Sequence, residues 1–479
     1  MRKAGWFFTL VLILGSVFAW AAAQPAQTFN PVGIWVGTVS YGGVDLKIVV
    51  KISARPDGTL AATMDSPDQG VKDIPVDSVK AEAGRLQLDL KSIGGKYEGT
   101  FNAATKEIEG TWTQGIPLPL KLKRVDKVPE VARLQEPKKP YPYVEEEVSY
   151  ENIKAGIKLA GTLTEPQGAG PFPAVILITG SGAQDRNETI FGHKPFMVIA
   201  DSLTRRGLAV LRVDDRGMGG SKGCLTTSTT EDLAGDVQSG IEYLKSRTDI
   251  DARRIGLIGH SEGGVIAPMV AARSPEVAFI VLLAGTGVTG EQILYEQNEL
   301  ISKAEGIPAE TIARSVDVQK KSFAILKENQ DIKTIEKKLG PIMAEAYKAM
   351  SFEEKKAAPN EDLWVKQQIQ TLTGPWFRFF LTYDPQPTLA KVKCPVLALG
   401  GSLDLQVPAE ENLAAIGEAL KSGGNTNYMV QVLPGLNHLF QTAKTGGVSE
   451  YGKIEETFSP QVLKIIGDWI ESVVQKKAK

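Results

Sequence analysis

The sequence predicts an α/β protein: a mainly parallel sheet covered on both faces, preceded by a small antiparallel β-barrel domain and interrupted by a helical insertion. Three observations predict it. Short apolar runs alternate with helical patterns from about residue 145 onward. Period-two alternation fills residues 29–124. A glycine-flanked serine stands between a strand-like run and a small-residue helical pattern.

The buried runs are 174–178, 209–211, 255–258, 279–283 and 396–399. Helical patterns lie between most of them, at 195–206, 231–247, 263–273 and 408–420. Strands alternating with helices make a parallel sheet with both faces covered. Two further strand-like segments, 145–151 and 156–164, lead into the first run. A last helix starts from Ser459 and Pro460 and carries Val462, Leu463, Ile466, Trp469, Ile470 and Val473 along one face.

In the amino-terminal part, Leu46, Ile48, Val50 and Ile52 alternate with more polar positions, as do Leu86, Leu88 and Leu90, then Ile108 and Trp112. Such alternation marks strands with one buried face. Turn signals separate about eight strands, so a barrel or sandwich is expected over 29–124, too short for a propeller of ~40-residue blades. Trp35, Tyr41 and Trp112 are its candidates for an exposed binding surface, with Trp35 and Trp112 also read as core. Residues 125–143 hold Pro129, Pro137, Pro140 and Pro142 among charges, which predicts an extended spacer. The catalytic domain is then assigned to 144–286 and 390–479. The intervening 287–389 lacks strand character, repeats Ile312, Val316, Phe323 and Leu326 at helical spacing, and reads as a helical cap.

At 479 residues the chain is long enough for two or three domains. Its 54 basic and 56 acidic residues give a net charge of -2, which argues against nucleic acid or an anionic membrane surface as partner. Arg2 and Lys3, an apolar stretch over 6–18 and Ala21-Ala22-Ala23 make a Sec-type signal peptide, 1–23, with cleavage after Ala23. An uncleaved anchor is the alternative. The mature chain is therefore expected in the periplasm or outside the cell, with no integral membrane segment. Cys224 follows one sheet strand and Cys394 precedes another, positions at opposite ends of a parallel sheet, so two separate thiols are expected. With three scattered histidines and two distant cysteines, no metal cluster is expected.

The segment Gly259-His260-Ser261-Glu262-Gly263-Gly264 fits G-x-S-x-G in a strand–turn–helix context, the setting of a nucleophile elbow. A serine hydroxyl needs a base to take its proton. Of His193, His260 and His438, His260 adjoins the serine and points away, and His193 lies ahead of a helix as an entrance or loop residue. His438 follows the last strand-like run, where a Ser, acid, His order places the base. Asp404, after the run 396–399, is the orienting acid; Glu410 and Glu411 are weaker candidates in the next helix. Backbone N–H donors for an oxyanion are assigned to Glu262 and Ser181, with Gly182 competing for the second place. The Glu262 side chain is expected to pack or bond beneath the elbow. Asp185, Arg186, Asp215 and Arg216 are read as pairing to brace the loops beside the site. Trp376, Phe377, Phe379 and Phe380 line an acyl pocket or form cap core.

With these residues in place, the chain resembles an α/β-hydrolase of the bacterial carboxylesterase group that carries an N-terminal β domain. The similar segments are 180–186 (GSGAQDR), 214–221 (DDRGMGGS), 375–380 (PWFRFF) and 436–440 (LNHLF), and the likeness spans roughly 145–475. It implies a mostly parallel eight-stranded sheet and hydrolysis of small, short-acyl carboxylic esters without a cofactor. Thr179 departs from the histidine commoner at the head of the oxyanion loop. A serine peptidase or thioesterase of the same fold is the alternative. The resemblance does not give the oligomeric state.

Overall fold

The computed structural model describes residues 29–477, apart from 42–43, 68–70, 115, 129–132, 352–353, 356–357 and 359. The expected signal peptide, 1–23, and Pro129 lie outside the described residues, as does the side chain of Tyr41.

The amino-terminal domain is a single antiparallel sheet of nine strands: β1 (Gly33–Tyr41), β2 (Val44–Ala54), β3 (Leu60–Ser66), β4 (Val71–Pro75), β5 (Ser78–Glu82), β6 (Arg85–Leu90), β7 (Gly95–Asn102), β8 (Glu107–Gln114) and β9 (Ile116–Val125). Their order is β4-β3-β2-β1-β9-β8-β7-β6-β5. The sheet curls until its ends approach: between β4 and β5, Val76 N–H donates to the Ala62 carbonyl of β3 at 3.1 Å and Asp77 N–H to the Asp89 carbonyl of β6 at 2.8 Å. The inward residues of the alternating pattern, among them Trp35, Ile48, Leu86, Leu88, Ile108 and Trp112, form one core. Trp35 and Trp112 are thereby removed as exposed binding aromatics. At the centre Tyr97 donates its hydroxyl towards the carbonyls of Ile108 and Leu120, at 3.1 and 3.2 Å, which satisfies a polar tip inside an apolar core. The sheet has nine strands where about eight were expected; β4 and β5 each have no fully buried residue and so carry no alternation of buried positions.

The second sheet has eight strands: β10 (Tyr143–Asn152), β11 (Ile157–Pro166), β12 (Phe172–Ile178), β13 (Ala209–Val213), β14 (Ile250–His260), β15 (Val277–Leu283), β16 (Val396–Gly401) and β17 (Tyr428–Leu433). Their order is β10-β11-β13-β12-β14-β15-β16-β17. β10 and β11 are antiparallel; all pairings from β13 to β17 are parallel. Helices α1 (Pro195–Thr204), α2 (Thr230–Lys245) and α3 (Gly263–Ala271) follow β12, β13 and β14. This is an α/β-hydrolase fold. The two sheet faces bury separate cores. One contains Ile176, Leu257, Ile266 and Leu282; the other contains Val175, Ile258, Val281 and the inner face of the last helix. The central strand β15 is buried at every residue, which is why it reads as a continuous apolar run.

Between β15 and β16 the chain forms the cap helices α4 (Gly290–Ala304), α5 (Ala309–Glu328), α6 (Ile332–Lys348), α7 (Glu361–Thr373) and α8 (Pro375–Thr382), then a short α9 (Gln386–Leu389). Phe323, Leu326, Ile335, Leu339 and Met343 give the cap its own core. Helices α10 (Ala409–Ser422) and α11 (Pro460–Lys477) complete the catalytic domain. No helix among the described residues is long and apolar enough to cross a membrane. Cys224 is exposed and Cys394 half-buried, and no disulfide joins them.

The proline-rich connector is not a free spacer. Arg133 is buried and donates to the carbonyls of Phe191 and Ile454, at 3.0 and 2.7 Å. The Gln135 side chain accepts from Thr457 and Phe458 N–H and donates to the Phe458 carbonyl. Lys194 pairs with Glu136 at 2.8 Å. The connector is not extended either: the chain turns at 134–136, where Glu136 N–H donates to the Arg133 carbonyl at 3.0 Å, and its polar side chains fasten it to the catalytic domain.

Candidate active site

Ser261 sits at the turn between β14 and α3 with φ 52°, a left-handed conformation uncommon for a residue bearing a Cβ. The turn is tight enough to exclude side chains around it. A Cβ on Gly259 would lie 1.9 Å from the Gly263 carbonyl oxygen, and one on Gly263 would lie 2.2 Å from that of Ile178. Ser261 N–H donates to the Leu283 carbonyl at 2.8 Å, pinning the turn to the neighbouring strand. Strain of this kind persists only where the surroundings over-determine it, and it concentrates at functional sites.

Asp404 and His438 come together from the loops after β16 and β17. Asp404 Oδ2 lies 2.8 Å from His438 Nδ1. The other carboxylate oxygen accepts the N–H groups of Gln406 and Val407, each at 2.8 Å, which fixes the carboxylate's orientation. Both side chains are buried. Among the described residues no hydrogen bond joins Ser261 Oγ to His438; such bonds are often long until substrate binds. Glu411 instead accepts from Gln292 of the cap.

The loop after β12 lies against the serine: a Cβ built on Gly180 would come within 3.3 Å of the Ser261 Cβ. Gly180 N–H is already engaged by Glu188 Oε1 at 2.7 Å. Ser181, the next residue, is exposed, and Glu262 N–H lies at the head of α3. No acceptor among the described residues takes either N–H. Thr179, at the position where histidine is commoner, donates its hydroxyl to Asp215 Oδ1 at 2.7 Å, and Gln184 N–H donates to Asp215 Oδ2 at 2.9 Å. One carboxyl thus clamps both ends of this loop. Burial pushes the Asp215 carboxyl up to about 7, against those two hydrogen bonds, with Glu188 and Glu262 adding to the rise.

The four charged loop residues brace their loops but do not pair with one another. Arg186 forms a two-pronged contact with Asp214, at 3.1 and 2.7 Å, and also reaches Glu147. Arg216 pairs with Asp236 of α2. Asp185 accepts the N–H groups of Asn187 and Thr189 in its own loop. The expectation of mutual pairing is corrected because each guanidinium finds a nearer carboxylate on an adjoining element.

Glu262 turns its side chain beneath the elbow, where Oε1 accepts from Thr230 Oγ1 and Trp376 Nε1, both at 2.7 Å. Burial pushes this carboxyl up, against those two hydrogen bonds. The aromatic segment divides its work. Trp376 stacks on Phe380 and reaches the elbow, Phe377 packs on Phe323 in the cap core, and Phe379 stacks on Tyr383. An apolar cavity lined by Tyr150, Leu159, Leu233 and Ile266 opens beside Thr179 and Asp215, not onto Ser261.

The two other histidines have distinct settings. His193 is a loop-filling residue, buried between Thr457 Oγ1 and the Tyr451 carbonyl. Burial, with the Arg133 charge beside it, pushes its imidazole down to about 4. His260 directs its ring away from the turn, between Glu188 and the His438 carbonyl. Glu188 was not evident from the sequence; its only signal was proximity to the loop after β12. Among the described residues no group of histidine, cysteine and carboxylate side chains could hold a metal ion.

The esterase EstD of Thermotoga maritima is 34% identical over 139 residues, which is 29% of this chain and 33% of EstD, so the chain spans a third of that curated relative's length. Two solved structures are similar at low identity. The α/β hydrolase GrgF from Penicillium sp. sh18 has 16% identity and a TM-score of 0.43, covering 71% of this chain and all of its own. The Pyrococcus furiosus esterase Pf2001 has 15% identity and a TM-score of 0.39, covering 69% of this chain and 93% of its own. The model of the X-Pro dipeptidyl-peptidase (S15) family matches residues 155–432, more than half of the chain, and includes Ser261 and Asp404. The chain belongs to that family of hydrolases.

Proposed function

We propose that this protein is a serine carboxylesterase acting on small, short-acyl esters through an acyl-enzyme intermediate. The observation that carries the reading is the 2.8 Å contact of Asp404 with His438 Nδ1, in a fold that holds Ser261 at a left-handed elbow. Asp404 accepts from Nδ1–H, so the lone pair on His438 Nε2 faces outward as the base. His438 takes the Ser261 proton as Oγ attacks the ester carbonyl. The N–H groups of Ser181 and Glu262 receive the oxyanion. His438 then gives its proton to the departing alcohol, and water, activated by the same imidazole, releases the acid. No cofactor enters these steps.

Ser261→Ala is expected to lower kcat by roughly 10⁴- to 10⁶-fold on p-nitrophenyl esters while leaving the circular dichroism spectrum unchanged. Retained turnover would sink the assignment. A panel graded by acyl length gives the chain-length limit, with short chains expected to be turned over fastest.

The family's peptidase description favours a second reading, cleavage of X-Pro dipeptides from peptide amino termini. Comparing X-Pro p-nitroanilides with p-nitrophenyl esters separates the two; faster anilide cleavage would replace the esterase reading. The leader over 1–23 supports export. Amino-terminal sequencing of the mature protein is expected to begin at Gln24.

A further inference from the structure

A second carboxylate–imidazole pair lies behind the proposed triad. Glu188 occupies the loop ahead of α1 with φ 52° and a buried side chain. Its Oε1 accepts Gly180 N–H at 2.7 Å and faces His260 Nδ1 at 2.9 Å. The other ring nitrogen, His260 Nε2, lies 2.9 Å from the His438 carbonyl oxygen. A carbonyl oxygen only accepts, so Nε2 carries a proton. An ionised Glu188 only accepts, so its Oε1 takes Nδ1–H beside Gly180 N–H. Both ring nitrogens therefore donate, and an imidazole with two N–H groups is a cation. His193 shows the contrast: one of its partners is the Thr457 hydroxyl, which can itself donate, so a single ring proton suffices.

We propose that His260 is a permanently protonated imidazolium, held by Glu188, which ties the oxyanion loop to the base loop and sets the pH at which His438 stops working as a base. The proposal rests on the reading of Ser261 and His438 given above. The ring centroids of His260 and His438 are 4.8 Å apart, while Glu188 meets the ring at Nδ1, the nitrogen turned away from the His438 carbonyl. The cation is therefore the nearer charge and opposes a second proton on His438. The charged groups facing His260 are Glu188 ahead of α1, Asp404 after β16 and His438 after β17. Asp215, after β13, faces Glu188. Burial works against the charge on His260, but Glu188, its hydrogen bond, the His438 carbonyl and Asp404 outweigh it and raise the ring's hold on its proton. Glu188 and His260 are thus positioning residues: neither touches the reacting atoms.

The test is the pH dependence of kcat/KM for p-nitrophenyl acetate on the full chain. Glu188→Gln removes the counter-charge and discharges His260. The acid limb should then move to higher pH by about one unit, from a unit charge near 5 Å at an effective dielectric of about 20, offset by its more distant partner. His260→Gln leaves Glu188 unbalanced and should move the limb further the same way. Glu188→Asp keeps the charge and should restore the wild-type limb. An equal loss of rate at every pH, with the limb unmoved, would overturn the proposal.

A second measurement does not depend on the variants' activity. Nitrogen-15 NMR of the three histidine rings should show one ring protonated on both nitrogens at about pH 8, well above the ordinary imidazole value of ~6.5, and that signal should vanish in His260→Gln. Three neutral rings would overturn it. The signal is expected unchanged in Ser261→Ala, so an error in the nucleophile assignment would appear in turnover alone.

Discussion

The indole nitrogen of Trp376 donates to Glu262 Oε1 at 2.7 Å, so the last long cap helix is bonded to the residue that follows the nucleophile. Cap and elbow share one buried carboxyl, whose other donor among the described residues is Thr230. Trp376→Phe keeps the stacking surface towards Phe380 and removes the donor. The variant is expected to lose about 1–3 kcal/mol of stability, the cost of leaving a buried polar partner less satisfied. KM should also rise as the cap loosens over the site. Urea unfolding and steady-state kinetics check this; an unchanged midpoint would show that the bond contributes nothing.

Asp404 orients His438 from one oxygen while the other is held by two backbone N–H groups. Asp404→Asn keeps the shape but presents the wrong partner to Nδ1. A fall in kcat of about 10⁴-fold with little change in KM is expected, measured on the same ester as the wild type.

His193 makes stability sensitive to acid. Its folded value, about 4, lies below the ordinary imidazole value of 6.5. Between those limits the unfolded chain binds more protons than the folded one, so this contribution is complete above about 6.5 and is lost as pH falls towards 4. The loss reaches up to about 3 kcal/mol at 1.36 kcal/mol per unit. His193→Gln should flatten the difference in urea midpoint between the two ends of that window. A wild-type slope retained by the variant would exclude His193 as its source.

Arg133 is held by backbone carbonyls across the catalytic domain, and Arg133→Ala leaves those acceptors without their cationic donor. A loss of about 2–3 kcal/mol is expected, as for hydrogen bonds to a charged group. Freed from its dock, the connector should be cut faster by trypsin after Lys138. Cleavage rates on the folded protein test this directly.

The parts of the fold readable from sequence are those whose signal is local. A glycine-flanked serine after an apolar run identifies the turn, because Gly259 and Gly263 have no room for a Cβ. Continuous apolar runs identify the central strands, since β15 is buried on both faces. Asp404 and His438 are placed by their position after successive strands. What stays hidden depends on partners distant in the chain. Glu188 is an ordinary loop glutamate until β14 brings His260 beside it. Arg133 reads as one more charge among prolines until residues 452–454 supply its acceptors. The division of labour among Trp376, Phe377 and Phe379 is set by the cap's packing, which helical spacing alone does not specify.

The docking of Arg133 also bears on the order in which the molecule is completed. The contact closes a loop of 321 residues, from the connector to the segment just ahead of α11. Domains fold as units during synthesis, amino-terminal first. The curled β sheet holds all its strand pairings within 29–125 and needs nothing made later. Its tether, by contrast, finds its last acceptors, the carbonyls of Ile454 and Phe458, only in the final part of the chain. A chain ending just short of that segment would carry a finished barrel on a tether held at Phe191 and Lys194, and the last stretch is what completes the fastening of the first domain.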